Sequence, residues 1–447
     1  MDKSKGRKIR PFFVAENAEG DNLMEMLLKN ANVYTGTDFI KSDLLIKDGR
    51  IVDIFKNIDV ICENTYDLNN LFIFPGFTDV HVHLREPGFS YKETIKSGSM
   101  ASARGGFTHI FSMPNLNPAP DSFETLKKQL DIIEKDAEIE VIPYGCITKE
   151  RKGEELSDMD EIKDMVCAFT DDGSGIQTKE LMKEAMLKAK SLDKIIAAHC
   201  EDNALLKGGY IHDGEYAKIN NHKGICSESE WGQIARDLEL AKETGVKYHV
   251  CHISTKESVE VIRKAKKDGV DVTCETGPHY LVYNDMDLKE EGRFKMNPPI
   301  RGEEDRLALI EGIKDGTIDM IATDHAPHSL EEKSKGLAGS MMGVVGIETS
   351  FPVCYTHLVK KNVITLEKLI KLMTENPANR FGKFNKLEKG AECDICIFDL
   401  DKEYEINPEE FISMGKSTPF AGEKVFGKCI ATIYKDKLVY GDLKLYK

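Results

Sequence analysis

His81 and His83 stand two residues apart in the segment DVHVHL, and on an extended strand both imidazoles project from the same face. Such a pair can hold one cation without distorting the backbone, although an HxH alone is equally suited to lining a polar rim. The signal sharpens because further groups of metal-binding type close other apolar runs: Asp171 and Asp172, His199, His252 and Asp324. Four histidines and two carboxylates are enough for two metal ions sharing a bridging carboxylate and a water, and such a pair generates hydroxide at neutral pH. Adjacent strand residues point opposite ways, so only one of Asp171 and Asp172 is expected to reach the ions.

Groups this far apart along the chain converge only if the fold carries each run's end to one place. Eight β-like runs end at Leu84, Pro114, Ile147, Asp172, Cys200, Ile253, Thr276 and Pro327, with amphipathic segments between them. In TKELMKEAMLKAKSL, SEWGQIARDLELAKETG and TKESVEVIRKAKKDG apolar residues recur at three and four, and a Gly often follows the last turn. Eight alternations predict a (β/α)8 barrel of the TIM type, with an open doubly wound sheet as the alternative. A barrel would gather the C-terminal ends of all the runs at one mouth, where barrel enzymes keep their catalytic groups.

The expected organisation has three parts. Residues 1–22 carry Lys3, Lys5, Arg7, Lys8 and Arg10 without periodicity and read as a mobile basic arm. Residues 23–70 and 387–447 are β-rich blocks that can pair as one small β-sandwich domain, because the ends of a compact chain often lie close together. Residues 71–386 form the barrel. The segment 330–343, LEEKSKGLAGSMMG, is Gly-containing and charged, and reads as a loop that either closes over a substrate or simply connects.

Across 447 residues, 61 Lys+Arg against 76 Asp+Glu leave a net charge of −15, which argues against a general nucleic-acid binder. No window approaches the roughly eighteen apolar residues of a membrane span, and no apolar stretch follows the basic N-terminus, so a cytoplasmic protein is expected. Eleven scattered cysteines in a chain of this length read as reduced thiols. Cys393 and Cys396 form a CxxC, but three apart on a strand they face opposite sides and are expected to be structural. His109, His249 and His279 lie within or beside strand runs and read as packed side chains, with His249 on the strand face opposite His252. His212, His222 and His357 read as ordinary polar residues, and Trp231 as helix packing.

DVHVHLREPG (79–88) and ATDHAPHSLEEK (322–333) resemble the two signature segments of the dihydroorotase family, in the amidohydrolase superfamily. Further matches are GGFTHIFSMPNLNP, AFTDDG, HCED, CHIST and KMNPPIR, running in order from about residue 23 to the C-terminus. The resemblance implies a metal-dependent hydrolase barrel with two zinc ions. His81, His83 and Asp324 would hold one and His199 and His252 the other, with a carboxylate of AFTDDG bridging. Many superfamily members bridge with a carboxylated lysine; none stands in that run here, so the chain looks like the class I bacterial members that use an aspartate, and the family pattern favours Asp172.

The implied substrate pair is dihydroorotate and N-carbamoyl-aspartate. Arg85 offers a planar fork for the ring carboxylate, with Asn115 and His328 completing the clamp, while Asn297 and the backbone around Met342 and Gly343 address the pyrimidine edge. Asp324, a carboxylate touching the metal, is the implied proton shuttle. The resemblance further implies a homo-oligomer, expected as a dimer, and a possible association with aspartate transcarbamoylase. Two alternatives are carried: a hydantoinase or allantoinase, for which the bridging lysine is missing and Arg85 has no purpose, and a catalytically dead scaffold, which would be expected to lack several of the ligands present here.

Overall fold

The computed structural model describes residues 25–382 and 386–447, so the basic arm at 1–22 lies outside the described residues. The chain enters through β1 (Met26–Tyr34), β2 (Phe39–Lys47), β3 (Arg50–Phe55), β4 (Asn64–Asp67) and β5 (Phe72–Pro75). It then forms β6 (Phe77–Val82), β7 (Phe107–Ser112), β8 (Glu140–Pro143) and β9 (Ile195–Ala198), with a small parallel pair, β10 (Ile211–His212) and β11 (Gly224–Ile225), in an excursion. After these come β12 (Lys247–Val250), β13 (Val272–Thr276) and β14 (Met320–Ile321). It closes with β15 (Asp394–Glu405), β16 (Lys424–Tyr434) and β17 (Lys437–Gly441).

Two parallel sheets, β6–β7–β8 and β9–β12–β13–β14, make the barrel wall. Single bridges join them at both seams: Phe169 pairs with Gly145 on one side and Ile196 on the other, and Val82 pairs with His325. The eight segments therefore follow one another around a ring. The fourth run expected from sequence is present as Phe169 and its neighbours rather than as a regular strand. The first run is really two strands, parted at Gly76, where an added Cβ would fall 2.1 Å from Thr108 Oγ1.

Helices cover the outside. The three amphipathic segments form helices Lys179–Ser191, Glu228–Thr244 and Lys256–Lys267, the first and last capped by the Thr178 and Thr255 hydroxyls, which accept from the backbone N–H groups of Leu181 and Ser258 in the first turn. Both faces of the barrel wall are apolar, as a parallel sheet under helices requires. Along β9, Ile196 and Ala198 join the large outer cluster, while Ile195 and Ala197 join Phe111, Tyr144, Met320 and Ala322 in a second, smaller one. His199 continues the parity of Ile195 and Ala197.

The chain-end strands make one continuous sheet, ordered β17–β16–β15–β5–β1–β2–β3, with β4 on β1. β5 and β15 meet antiparallel with Ile73 opposite Ile397, joining the two ends of the chain. Ile73, Ile395, Ile397 and Cys393 share an apolar cluster with Met26, Leu28, Val33, Leu44 and Ile46. Cys396 lies in the barrel-side cluster instead, so the two thiols of the CxxC do face opposite ways. Phe74 and Phe398 stack at 5.6 Å and pack with Phe77 and Phe351, binding this sheet to the barrel.

Candidate metal centre and active site

At or just past the C-terminal ends of the barrel strands, His81, His83, Asp172, His199, His252 and Asp324 are all at most 6 % exposed and gather around one point. His83 Nε2 lies 3.0 Å from Asp324 Oδ1 and 3.6 Å from Asp172 Oδ2. His81 Nε2 lies 3.4 Å from Asp172 Oδ1 and 3.5 Å from Asp324 Oδ1. On the other side of Asp172, His252 Nε2 is 3.6 Å and His199 Nδ1 3.8 Å from Oδ1, and the two imidazole nitrogens are 3.0 Å apart. Ligand atoms of His81, His83 and Asp324, and of His81, Asp172 and His252, each lie within 4.8 Å of one another, close enough to share an ion.

Asp171 and Asp172 part as adjacent residues should. Asp171 turns toward the loop after β8 and accepts from Ile147 N at 2.8 Å, Thr148 N at 3.1 Å and the Thr148 hydroxyl, while Asp172 turns to the histidines. Backbone strain marks the other positions. Asp324 has φ +47°, His252 φ +31° and Arg85 φ +63°, left-handed values that non-glycine residues adopt only where the surroundings hold them. The +31° at His252 also overturns one expectation. His249 and His252 were expected on opposite faces, yet both side chains turn inward, His249 Nε2 to Glu275 Oε2 at 3.1 Å and His252 Nε2 to 3.6 Å from Asp172 Oδ1, because strand alternation ends at Val250.

Glu275, at the end of β13, escaped the sequence reading. Its Oε1 accepts from His81 Nδ1 at 2.7 Å, and since a carboxylate can only accept, Nδ1 carries the proton and Nε2 is left facing the cluster. Asp79 escaped likewise. It accepts from Thr323 N, Thr323 Oγ1 and His81 N, tying β6 to the chain just before Asp324. The available signal was parity: Asp79, His81 and His83 share one face of β6 and its continuation, and Glu275 is the only charged residue of β13.

Around this cluster stand the remaining residues expected at the site. Arg85 Nε donates to Pro327 O at 3.2 Å, and its Nη2 sits 3.4 Å from His328 Nε2. Lys92 Nζ, a donor only, meets His328 Nδ1 at 3.2 Å, which leaves Nε2–H to donate to Met342 O at 2.8 Å. His328 is held neutral, lowered to about 3 by burial and by the Arg85 and Lys92 cations. Gly343, at φ +142°, packs so closely that a Cβ would come within 2.6 Å of Ala326 O. Asn115 Nδ2 donates to Asp172 O at 2.9 Å, with Oδ1 buried and unbonded among the described residues. Asn297 Nδ2 donates to Glu201 Oε1 at 3.0 Å, and the other oxygen of Glu201 lies 3.7 Å from His199 Nε2.

The electrostatics favour a cation at the centre. Burial works against the charge on Asp172, yet His81, His252 and His83 outweigh it and hold the carboxyl well below its usual range. Burial likewise opposes a charged His81, but Asp172 and Glu275 push it well above the ordinary imidazole value. Glu275 is lowered to about 2, burial being overcome by His81 and His249. Despite this surplus of negative charge, His81 Nε2 and Asp172 Oδ1 are buried without a hydrogen-bond partner among the described residues. With Nδ1–H given to Glu275, either a second proton on the His81 ring or a cation must satisfy Nε2 and Asp172 Oδ1, 3.4 Å apart, and the donor set of nitrogens and carboxylate oxygens fits a divalent metal.

Comparison with known proteins agrees with this geometry. Residues 70–258 match the family described as Dihydro-orotase-like. The chain is 54 % identical to the dihydroorotase of Fusobacterium nucleatum, the match covering 93 % of this chain and 99 % of the relative. It is 49 % identical to that of Listeria innocua, over 93 % and 99 %. Among solved structures it is similar to the L-hydantoinase of Arthrobacter aurescens, with a TM-score of 0.83 at 27 % identity over 93 % of this chain and 96 % of that one. The dihydropyrimidinase of Brevibacillus agri shares the fold, with a TM-score of 0.81 at 21 % identity over 94 % and 96 %. With that identity extending over nearly its whole length, the chain belongs to the dihydroorotase family.

Proposed function

We propose that this protein is a zinc-dependent dihydroorotase that interconverts N-carbamoyl-L-aspartate and (S)-dihydroorotate, the cyclisation serving pyrimidine synthesis. The observation that carries this reading is the pairing of two features: six buried metal-type ligands around a partnerless Nε2 and Oδ1, and a half-buried arginine at their rim. His81, His83 and Asp324 would hold one zinc, His199 and His252 a second, and Asp172 would bridge them. Zinc bound there supplies a hydroxide nucleophile at neutral pH and polarises the ring carbonyl. Asp324 takes the proton of the attacking water and returns it to the departing ring nitrogen; in the biosynthetic direction it does the reverse.

Arg85 receives the ring carboxylate, with Asn115 and His328 beside it. Burial lowers Arg85 to about 10, which leaves it cationic at neutral pH. Asn297 and the 342–343 backbone meet the amide edge of the ring. An arginine in this position separates the reading from a hydantoinase, whose neutral ring offers no carboxylate. The eleven cysteines are all free, which supports a reducing, cytoplasmic setting; none of the described helices is long and apolar enough to cross a membrane. A dimer and a contact with aspartate transcarbamoylase follow from the family resemblance alone.

The test is chelation of the purified protein followed by zinc add-back, assayed with dihydroorotate and with a neutral hydantoin. Loss of dihydroorotate turnover on chelation and its recovery with about two zinc per chain are expected. Turnover that survives complete metal removal, or a preference for the neutral hydantoin, would sink the reading.

A further inference from the structure

The segment after DHAPH holds a buried cation that the reaction just described leaves without a part. Lys333 ends the short helix Leu330–Lys333 and is only 7 % exposed. Its Nζ donates to three main-chain carbonyls: Lys295 O at 3.0 Å, Met341 O at 2.8 Å and Gly343 O at 2.8 Å. Three bonds exhaust the donors of an ammonium. Burial and the neighbouring Lys295 pull Lys333 down to about 7, so the fold carries a free-energy cost to keep a cation in this place.

The carbonyls belong to two stretches of chain that border the proposed substrate. Lys295 lies two residues before Asn297, and Met341 and Gly343 flank Met342. The Gly343 N–H donates to the same Lys295 carbonyl at 3.1 Å, and Lys295 Nζ returns a bond to Ala338 O at 2.9 Å. Met342 O is held by His328, so three consecutive carbonyls, 341 to 343, are each tied to a side chain. The segment 330–343, expected as a loop that either closes over a substrate or simply connects, contains two short helical turns, Leu330–Lys333 and Gly336–Gly339.

We infer that Lys333 is a positioning residue for substrate binding: its ammonium clamps the 341–343 backbone against 295–297 and so fixes the wall that meets the amide edge of the ring. This rests on the function proposed above. Lys333 lies outside the metal cluster and need not touch the reacting atoms, so its loss weakens ground and transition states alike.

The experiment compares the zinc-loaded full chain with Lys333→Met, which keeps the length and removes the donors. Expected are a KM for dihydroorotate raised about tenfold with kcat within about twofold, an unchanged metal content, and faster hydrogen exchange at the Gly343 amide. A native KM, or a loss confined to kcat, would overturn the inference. Should Lys333→Met not be recovered folded, Lys333→Gln takes its place: one atom shorter and with two N–H donors in place of three, it cannot hold all three carbonyls, so a raised KM with native kcat supports the clamp and a native KM overturns it. If the native chain fails to turn over dihydroorotate, the functional reading falls, and exchange at Gly343 still decides the clamp: unchanged exchange in the variant refutes it.

Discussion

In the chain-end sheet the buried Asp43 carboxylate accepts the Asn30 N–H through Oδ1 at 2.8 Å and the Ile58 N–H through Oδ2 at 2.9 Å. At the barrel mouth Asp172 is equally buried, each being 3 % exposed, but its Oδ1 has no hydrogen-bond partner among the described residues. Asp43 is thus answered by main-chain N–H groups near it, and the sheet packs Ile73, Ile395 and Ile397 into a cluster of its own. The mouth instead concentrates acids and imidazoles whose demands the chain does not meet; left-handed backbone occurs in both regions, at Asn30, Asp48, Asn57, Asn70 and Lys435 in turns of the one and at Arg85, His252 and Asp324 around the site of the other. Strain of this kind costs of order 1–3 kcal/mol per residue. One region is complete as a polypeptide; the other is completed by what it binds.

If that division is right, damage at the mouth should remove activity and leave the fold standing. The largest effect is expected from Asp324→Asn, which keeps the size of the side chain but cannot carry the proton. A loss of about 10³-fold or more in kcat in both directions is expected, within the range seen for general acid–base groups and compounded by the weaker metal ligand. Thermal unfolding should shift little. Steady-state rates and a melting curve check both halves, and an active Asn variant would show that the proton travels elsewhere.

Next in size is Arg85→Ala, which should raise KM for dihydroorotate about a hundredfold, roughly 3 kcal/mol of charge-assisted binding, with zinc content unchanged. The comparison substrate is a neutral hydantoin. An equal loss with that ring would show that Arg85 supports the mouth rather than recognising a carboxylate.

The metal-type ligands were legible in sequence because the geometry that unites them is simple: an end of a strand run, and a barrel that brings eight such ends together. Asp171 against Asp172 could be narrowed to one residue by strand alternation, but which one depends on Thr148 and Ile147 capturing Asp171, a contact across 23 residues that no local pattern encodes. Alternation continued past Val250 puts His249 on the far face from His252, but the left-handed φ of His252 breaks the alternation. Glu275 and Lys333 were missed for a related reason. Their roles are set by partners, His81 some 194 positions away in one case and the carbonyls of Lys295, Met341 and Gly343 in the other. Periodicity places a strand and its faces; it does not say which acid on that face will find a histidine.

Glu275→Gln tests how far the mouth extends beyond the residues that would touch metal. The variant keeps an acceptor for His81 Nδ1 but removes the charge that raises its basicity, and partners of this kind typically change metal affinity by about 10–100-fold. Zinc retention during graded dialysis should fall accordingly, with kcat recovering at saturating zinc. Native retention would place Glu275 among the structural acids, alongside Asp43.

The smallest effect on catalysis is expected from Ile395→Ala, and it is the converse test. Ile395 is fully buried in the chain-end cluster, between Pro75 and Ile433 in the register of its sheet. Removing its side chain should cost about 2–5 kcal/mol of stability through lost burial and the cavity left behind. The metal-type ligands sit on the barrel strands, and Ile395 belongs to an apolar cluster separate from both barrel clusters. Below the lowered melting point, kcat and KM should therefore stay within about twofold of native, because the cavity opens where no substrate is held. A fall in kcat that tracks the loss of stability would show that the chain-end sheet holds the mouth in shape through the Phe74, Phe77, Phe351 and Phe398 contacts, and the two regions would have to be treated as one.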